Sequence, residues 1–227
     1  MIFNFLLVEP ASPANVGAAA RAIKTMGFKH LRLINPCDYL CDEARWLAHA
    51  SNDILESATV YGSLEEATAD LDFVVGTTAK QRSVKEDYLP LKLLKPSIDS
   101  KSGSINKLGI VFGREDSGLR NHELKRCDLV STVPLVKPYP SLNLAQAVML
   151  YAYELSTIQQ AETINLQSEA ASFQQLKKKI ERLLHQIGMK EESNIFPRII
   201  ERLNLLSDTD VHLLHSISNK ILENSEK

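Results

Sequence analysis

Short apolar runs that alternate with stretches of helical periodicity constrain the fold of this chain more than any other feature. Strands are predicted at residues 3–8, 31–34, 59–61, 72–76, 108–112 and 129–135. Most of these runs are apolar on both faces, as strands are when helices cover both sides of a parallel sheet. The sequence therefore predicts an α/β fold with a mostly parallel sheet of about six strands.

Segments with helical periodicity connect the predicted strands, and beyond residue 163 only helices are predicted. Helices are predicted over residues 13–26, 43–50, 63–69, 122–127 and 142–163, whereas the polar, proline-containing stretch 80–104 predicts a loop. Beyond residue 163, helical periodicity covers 173–187 and 196–206, and an N-cap pattern at 207–210 opens a last helix to about residue 223. We therefore predict an α/β domain over residues 1–163 and a small helical extension over residues 165–227.

The composition of the 227 residues argues against several classes of protein. With 26 Lys+Arg and 28 Asp+Glu the net charge is −2, so a nucleic-acid partner would need a local basic surface. Three cysteines argue against a disulfide framework, and without a histidine pair beside them we expect no metal site. No run approaches the roughly 18 apolar residues of a membrane helix. We therefore expect a cytoplasmic protein without a membrane partner.

Familiar nucleotide-binding and hydrolytic motifs are absent from the sequence. It contains no Gly-x-x-x-x-Gly-Lys-[Ser/Thr], no Gly-x-Gly-x-x-Gly after the first strand, no Gly-x-Ser-x-Gly and no His-Glu-x-x-His. P-loop, dinucleotide-binding, serine-hydrolase and metalloprotease functions therefore have no support in the sequence.

Three segments that follow predicted strands combine Gly or Pro with polar side chains. They are residues 15–21, 112–119 and 138–145, with the sequences NVGAAAR, FGREDSGL and PYPSLNLA. Ligand sites in α/β sheets form beyond the carboxyl ends of the strands, where these segments lie. A plain turn needs no Arg, Glu and Asn, so the three segments predict a ligand site.

Each segment also has an interpretation that needs no ligand. Asn15 can cap the first helix, and Arg21 either completes a phosphate site about one and a half turns further on or points to solvent. Glu115 either stands in a site with two arginines in sequence reach or belongs to a solvated turn. Asn143 is expected to cap the long helix in either case.

Together, the three segments resemble the motifs of the SPOUT methyltransferases in their TrmH-like branch. The motifs are Asn-x-Gly-x-x-x-Arg, Gly-x-Glu-x-x-Gly-Leu and Ser-Leu-Asn-x-[Ala/Ser], and here they occur in that order. The resemblance spans residues 1 to about 160 and is strongest to TrmJ-type tRNA 2′-O-methyltransferases, through the runs 21–27 and 74–79 and the helical extension. The proline-rich segment 137–140, which directly precedes the third motif, departs from the family pattern.

The resemblance implies a fold and a cofactor. SPOUT domains carry a trefoil knot, an exception to the rule that chains avoid threading, and S-adenosylmethionine binds in the knot. The matching cofactor-binding positions are Thr77, Thr78, Ala79, Gly113, Val133, Leu135, Ser141, Leu142 and Asn143. Family members act as homodimers, in which first-motif residues of one subunit face the cofactor of the other.

The resemblance also implies an activity, which is methyl transfer to a ribose 2′-hydroxyl of tRNA, at the C or U of position 32 in the anticodon loop. The implied catalytic residues are Asn15, Arg21, Glu115, Ser141 and Asn143. Arg21 is the candidate base or, as we favour, a clamp for the adjacent phosphate, since a guanidinium stays protonated in proteins. The other four would order the loops and the hydroxyl.

A local RNA surface is predicted in the helical extension. Its candidate residues are Lys177, Lys178, Lys179 and Arg182 on one helix, with Arg198 and Arg202 on the next. A solvated helix face is the alternative for these cations. Three other functions stay open, namely methylation of ribosomal RNA, methylation of another tRNA position, and a non-catalytic assembly factor with the same fold.

Overall fold

A computed structural model of the protein describes residues 1–80, 85, 87–137, 141–158 and 171–225. These residues form two compact units. One contains the described residues of 2–95 and 107–160, and the other contains residue 1, residues 96–106 and residues 171–225. Within the described ranges, no helix is long and apolar enough to cross a membrane.

A parallel sheet of seven strands forms the centre of the first unit, as far as the chain is described. The strands are β1 (Ile2–Val8), β2 (His30–Ile34), β3 (Thr59–Tyr61), β4 (Phe73–Thr78), β5 (Tyr88–Pro90), β6 (Lys107–Phe112) and β7 (Leu129–Thr132). Their order in the sheet is β3-β2-β1-β6-β4-β7-β5, and every neighbouring pair is parallel. The predicted α/β class with a parallel sheet is confirmed.

Helices connect the strands and make up the second unit. They are α1 (Pro13–Thr25), α2 (Asp42–Ala48), α3 (Asn52–Glu56), α4 (Leu64–Thr68), α5 (Leu91–Asp99), α6 (Asn121–Arg126), α7 (Leu144–Leu155), α8 (Ala171–Gln186), α9 (Ile195–Leu203) and α10 (Asp208–Ser225). Gly27 follows α1 with φ of +84°, the left-handed conformation expected after a helix end. The predicted continuation of α7 to residue 163 lies partly outside the described residues.

The prediction of a loop over residues 80–104 was wrong, because β5 and α5 lie there. Leu91, Leu94 and Ile98 of α5 are buried at i, i+3 and i+7, which is helical spacing. Pro96 inside the helix and the lysines around it hid this pattern, since proline normally interrupts a helix. The seventh strand, β5, was missed because its three residues, which end in Pro90, lie within this polar, proline-containing stretch.

The register of the sheet decides which loops meet. Leu7 of β1 pairs with Phe112 of β6, and Thr78 of β4 pairs with Thr132 of β7. Because all strands run in the same direction, the residues that follow β1, β4, β6 and β7 emerge at one edge. The second polar segment, which starts at the end of β6, therefore begins at this edge, and α1, which carries the first, follows β1 from the same edge.

The second unit has a small apolar core of its own. Phe173, Leu176, Phe196 and Leu203 are buried in it, among others. The buried ammonium group of Lys101 donates a hydrogen bond to the carbonyl of Leu206. The three helices predicted after residue 163 are present, with starts and ends displaced by a few residues.

The predicted cap at residues 207–210 opens α10. Ser207 Oγ accepts a hydrogen bond from the Asp210 amide at 3.4 Å, and the Asp210 carboxylate accepts from the Ser207 amide at 3.3 Å. This reciprocal pair satisfies two of the amides that a helix start leaves unpaired.

Candidate functional site

A cavity of about 210 Å³ lies at the carboxyl edge of the sheet, between the ends of β4, β6 and β7 and the start of α7. Eight of the predicted cofactor-binding residues line it, namely Thr77, Thr78, Ala79, Gly113, Val133, Leu135, Ser141 and Leu142. The ninth, Asn143, follows Leu142 and caps α7. The structure thus brings these residues together, and their role in binding a cofactor stays a prediction.

The turn after β6 brings main-chain atoms to the cavity. The Gly118 amide donates to the Arg114 carbonyl at 2.9 Å, and the Arg114 amide donates to the Gly118 carbonyl at 3.3 Å. Gly118 has φ of +69°, and a Cβ on Gly113 would lie 2.1 Å from the carbonyl carbon of Gly118. Both glycines are therefore required by the geometry of this turn.

The carboxylate of Glu115 joins this turn to the start of α1. It accepts hydrogen bonds from the amides of Ala11 and Ser12, at 3.1 and 3.2 Å, and from Asn15 Nδ2 at 3.1 Å. These donors lie about 100 positions away in the sequence. Glu115 thus fixes the β1–α1 loop against the β6 turn.

Asn143 connects the third segment to the same network. Its Nδ2 donates to Asn15 Oδ1 at 2.8 Å, and its Oδ1 accepts from the Ala145 amide at 2.9 Å. The predicted cap by Asn143 is confirmed. Side chains from all three polar segments therefore form one chain of hydrogen bonds, from Glu115 through Asn15 to Asn143.

The prediction that Asn15 caps the first helix was wrong. The cap is Ser12, whose Oγ accepts a hydrogen bond from the Asn15 amide at 3.4 Å. Pro13 takes the first helical position, where its missing N–H is not needed. Since Ser12 caps the helix, the Asn15 side chain is available for Glu115 and Asn143.

Arg114 lines the cavity, but its partners differ from the one expected from the sequence. We expected Arg114 and Arg120 to flank Glu115, but Arg114 donates to Glu9 at 2.6 and 2.7 Å and to Glu123 at 2.9 and 3.0 Å. Arg120 lies 3.6 Å from Glu9. The sequence offered no signal for these pairs beyond the charges themselves, since Glu9 and Arg114 are 105 positions apart.

Three carboxylates that accept hydrogen bonds from Arg114 or Asn15 have pKa values below the usual value of 4.5. Hydrogen bonds from Arg114 lower the pKa of Glu9. Burial raises the pKa of Glu115, but the hydrogen bonds from Asn15 and the two amides outweigh it. Burial also raises the pKa of Glu123, but the hydrogen bonds from Arg114 lower it by more. All three groups are therefore stabilised as carboxylates by the folded structure.

These pKa values predict a loss of stability in acid. A carboxylate with a lowered folded-state pKa stabilises the fold above its unfolded pKa, and this stability is lost as the pH falls through the folded pKa. Urea unfolding should give a free energy that is steady from pH 7 to about pH 5 and then declines. Glu115→Gln should flatten the decline by up to about 1.4 kcal/mol per pH unit. An unchanged decline would contradict the contacts assigned to Glu115.

Arg21 lies outside the cavity. It is exposed on α1 and forms no hydrogen bond or ion pair with another described residue. Gly17, one turn earlier on the same side of α1, packs closely on α2, because a Cβ there would lie 2.1 Å from the Ala44 carbonyl oxygen. Arg21 is thus exposed beside this helix contact and is not among the residues that line the cavity.

The predicted RNA-binding residues of α8 have different environments. Lys178 and Arg182 are exposed one turn apart, and Lys177 is half-buried. Lys179 instead packs on α10, where its Nζ lies 2.7 Å from Asn219 Oδ1. Lys178 and Arg182 are therefore the better placed of the four for a partner.

The two predicted cations of α9 also differ. Arg198 is half-buried and lies 3.5 Å from the Glu201 carboxylate, whereas Arg202 is exposed. The charge of Arg198 is therefore partly neutralised by Glu201 within α9. Among the residues that the structure describes, no group of three or more His, Cys, Asp or Glu is arranged to hold a metal ion.

The fold and the site define an α/β protein with a ligand cavity at the carboxyl edge of its sheet, and comparison with known proteins identifies the family. Residues 3–153 match the SpoU rRNA methylase family, and residues 170–225 match the C-terminal domain of the tRNA/rRNA methyltransferase LasT. The chain belongs to the SpoU methylase family of methyltransferases. This confirms the resemblance inferred from the three motifs.

Individual relatives agree with this family. The uncharacterized tRNA/rRNA methyltransferase LasT of Escherichia coli is 40% identical over 228 residues, which covers all of both chains. The tRNA (cytidine-2′-O-)-methyltransferase TrmJ of Methanocaldococcus jannaschii is 38% identical over 160 residues, or 69% of this chain and 68% of that protein. A solved structure of a probable methylase family protein from Haemophilus influenzae covers 99% of this chain and 97% of its own, with 28% identity and a TM-score of 0.67.

Proposed function

We propose that this protein transfers a methyl group from S-adenosylmethionine to a ribose 2′-hydroxyl of tRNA, at the C or U of position 32 in the anticodon loop. One observation carries the proposal. The three family motifs meet at a single cavity and are joined by the hydrogen bonds between Glu115, Asn15 and Asn143. The similarity to TrmJ supports the reaction and the tRNA substrate.

The residues of the cavity fit S-adenosylmethionine. Its apolar lining suits an adenine ring, and its charged and main-chain groups suit a ribose and an amino acid. A Cβ on Gly113 would clash with Gly118, and Gly118 has a positive φ, so the turn carries glycine at both positions and its main chain could approach a ligand closely. When bound, this cofactor supplies a methyl group on a positively charged sulfur.

The residues of the chain would supply positioning for the transfer. Glu115, Asn15 and Asn143 hold the three loops in place, and Ser141 lines the cavity just before α7. A ribose hydroxyl is a weak nucleophile, so much of the acceleration would come from its orientation. Arg21 would clamp the phosphate beside the target ribose through two parallel N–H bonds.

We propose that the active form is a homodimer in which Arg21 of one subunit faces the cavity of the other. The position of Arg21 outside its own cavity supports this arrangement. In addition, α7 carries the exposed apolar residues Leu150 and Tyr153, which a symmetric partner could cover. The active site would then require both subunits.

The family and the strand order also support a knotted chain. β6 lies between β1 and β4, and β7 lies on the other side of β4, so the strand order departs from the chain order in this half of the sheet. We propose that the loops at 77–79, 113–119 and 133–143, of which residues 138–140 lie outside the described residues, form the trefoil knot. We further propose that the enzyme acts in the cytoplasm, where its tRNA is found.

The helical second unit is proposed to hold the tRNA through Lys178 and Arg182. Replacing both with alanine should weaken tRNA binding about tenfold at moderate salt, because two phosphate contacts and their released counterions are lost. Filter binding over a salt series should show a slope reduced by about 2. Lys220→Ala, which removes an exposed lysine of α10, is the matched control. Equal loss of tRNA binding and of S-adenosylhomocysteine binding would contradict the proposal.

A transfer assay tests the proposed function. The protein would be incubated with methyl-labelled S-adenosylmethionine and, separately, with total tRNA and with ribosomal RNA. We expect label in tRNA. Label in ribosomal RNA alone would favour the ribosomal alternative, and cofactor binding without transfer to either RNA would favour an assembly factor.

A further inference from the structure

The turn between α2 and α3 holds two consecutive residues in an unfavourable backbone conformation. His49 has φ of +29° and ψ of 116°, and Ala50 has φ of +50°. Residues with a Cβ rarely adopt positive φ, and glycine normally takes such a position after a helix. Strain of this kind persists only where the surrounding structure holds it, and it clusters at functional sites. This turn is therefore a candidate functional element.

Contacts with α1 hold the turn in this conformation. A Cβ on Gly17 would lie 3.0 Å from the Ala48 amide nitrogen, so α1 packs directly on the end of α2. Two helical turns later, Lys24 Nζ donates a hydrogen bond to the Ala50 carbonyl at 2.8 Å. The main chain of His49, which joins Ala48 to Ala50, is thus held against α1 on both sides.

Arg21 belongs to the same surface as this turn. Gly17, Arg21 and Lys24 occupy positions i, i+4 and i+7 of α1, which share one side of the helix. Arg21 therefore lies between the two contacts that hold His49. Both Arg21 and His49 are exposed, and neither side chain forms a hydrogen bond or ion pair with another described residue. Lys24 differs from them, because it also pairs with Asp53 at 2.7 Å.

We propose that His49 binds the RNA backbone beside Arg21, by donating a hydrogen bond to the phosphate next to the one that Arg21 clamps. This inference rests on the proposed function. An imidazole has an N–H donor in both its neutral and its charged form, and phosphates and sugars take most hydrogen bonds between proteins and nucleic acids. The strained turn fixes the main chain of His49 beside α1 and so keeps its side chain close to Arg21 before RNA binds.

Glycine substitutions in the full chain separate the strain from the imidazole. His49→Gly relieves the strain and removes the side chain, so it should raise the melting temperature by about 2–4 °C and yet weaken tRNA binding about fivefold to tenfold in filter binding. Ala50→Gly relieves strain but keeps the imidazole, and as the matched control it should raise the melting temperature alone. His49→Asn tolerates positive φ and keeps an N–H donor, so it should bind tRNA within about threefold of the wild type.

The outcomes separate this inference from the proposed function. Unchanged tRNA affinity in His49→Gly would overturn it, and so would a lower melting temperature of that variant, since the turn would then serve the fold. An equal loss of S-adenosylhomocysteine affinity would also overturn it, because His49 would then act on the cofactor. A wild-type protein that transfers no methyl group to tRNA would instead contradict the proposed function, and the tRNA affinities of the variants would still decide whether His49 contacts RNA.

Discussion

Replacing Arg21 with alanine is expected to reduce the rate of methyl transfer to tRNA at least about 100-fold at saturating RNA. Loss of one positioned donor to a reacting group typically costs 10²–10³ in rate, and Arg21 would hold both the phosphate and the hydroxyl. The affinity for S-adenosylhomocysteine should change less than about twofold, because Arg21 is outside the cavity of its own subunit and forms no hydrogen bond or ion pair with another described residue. Single-turnover kinetics and calorimetry measure the two quantities separately.

Two further variants make the Arg21 result specific. Arg21→Lys keeps the charge but loses the paired N–H geometry, so it should recover only a small part of the rate. Arg126→Ala removes an exposed arginine that pairs with Glu65 at 3.3 Å and should behave like the wild type. A near wild-type rate for Arg21→Lys would exclude both the two-bond clamp and the arginine base.

Replacing Glu115 with alanine should affect stability and catalysis together. The change leaves the amides of Ala11 and Ser12 and the Asn15 side chain without their acceptor, which should lower the free energy of unfolding by about 2 kcal/mol. It also frees the β1–α1 loop from the turn after β6. A shift of about 1 Å in a site can cost 10²-fold in rate, so we expect a comparable loss of transfer. Urea unfolding and the transfer assay measure the two effects.

The controls for Glu115 separate its geometry from its charge. Glu115→Gln keeps one acceptor oxygen but turns an amide toward one of the three donors, so its effects should be intermediate. Glu65→Ala removes a carboxylate that is 73% exposed and should be close to neutral. Wild-type rate and stability in Glu115→Ala would contradict the network that links the three motifs.

The sequence was informative where a feature depends on neighbouring residues. Apolar runs located β1, β2, β4, β6 and β7 because burial on both faces leaves a local pattern. Asn143 was recognised as a cap because a cap depends on residues within one turn. The Ser12 cap was missed because Asn15 also suits that position, and only the placement of Pro13 at the start of α1 decides between them.

Local sequence patterns could not predict which side chains pair when they are far apart in the sequence. Arg114 has carboxylates near it in sequence, but the parallel pairing of β1 with β6 brings Glu9 to its guanidinium. Similarly, the three motifs could be placed at strand ends, but their direct hydrogen bonds depend on the order β1-β6-β4-β7 in the sheet.

Nucleoside analysis of the modified RNA tests whether this protein methylates a ribose 2′-hydroxyl of tRNA. Total tRNA incubated with the protein and S-adenosylmethionine would be digested to nucleosides and to oligonucleotides and analysed by mass spectrometry, with Arg21→Ala as the inactive control. We expect 2′-O-methylcytidine or 2′-O-methyluridine in the anticodon loop, at position 32. Methylation of a base, or no methylated nucleoside above the Arg21→Ala control, would contradict it.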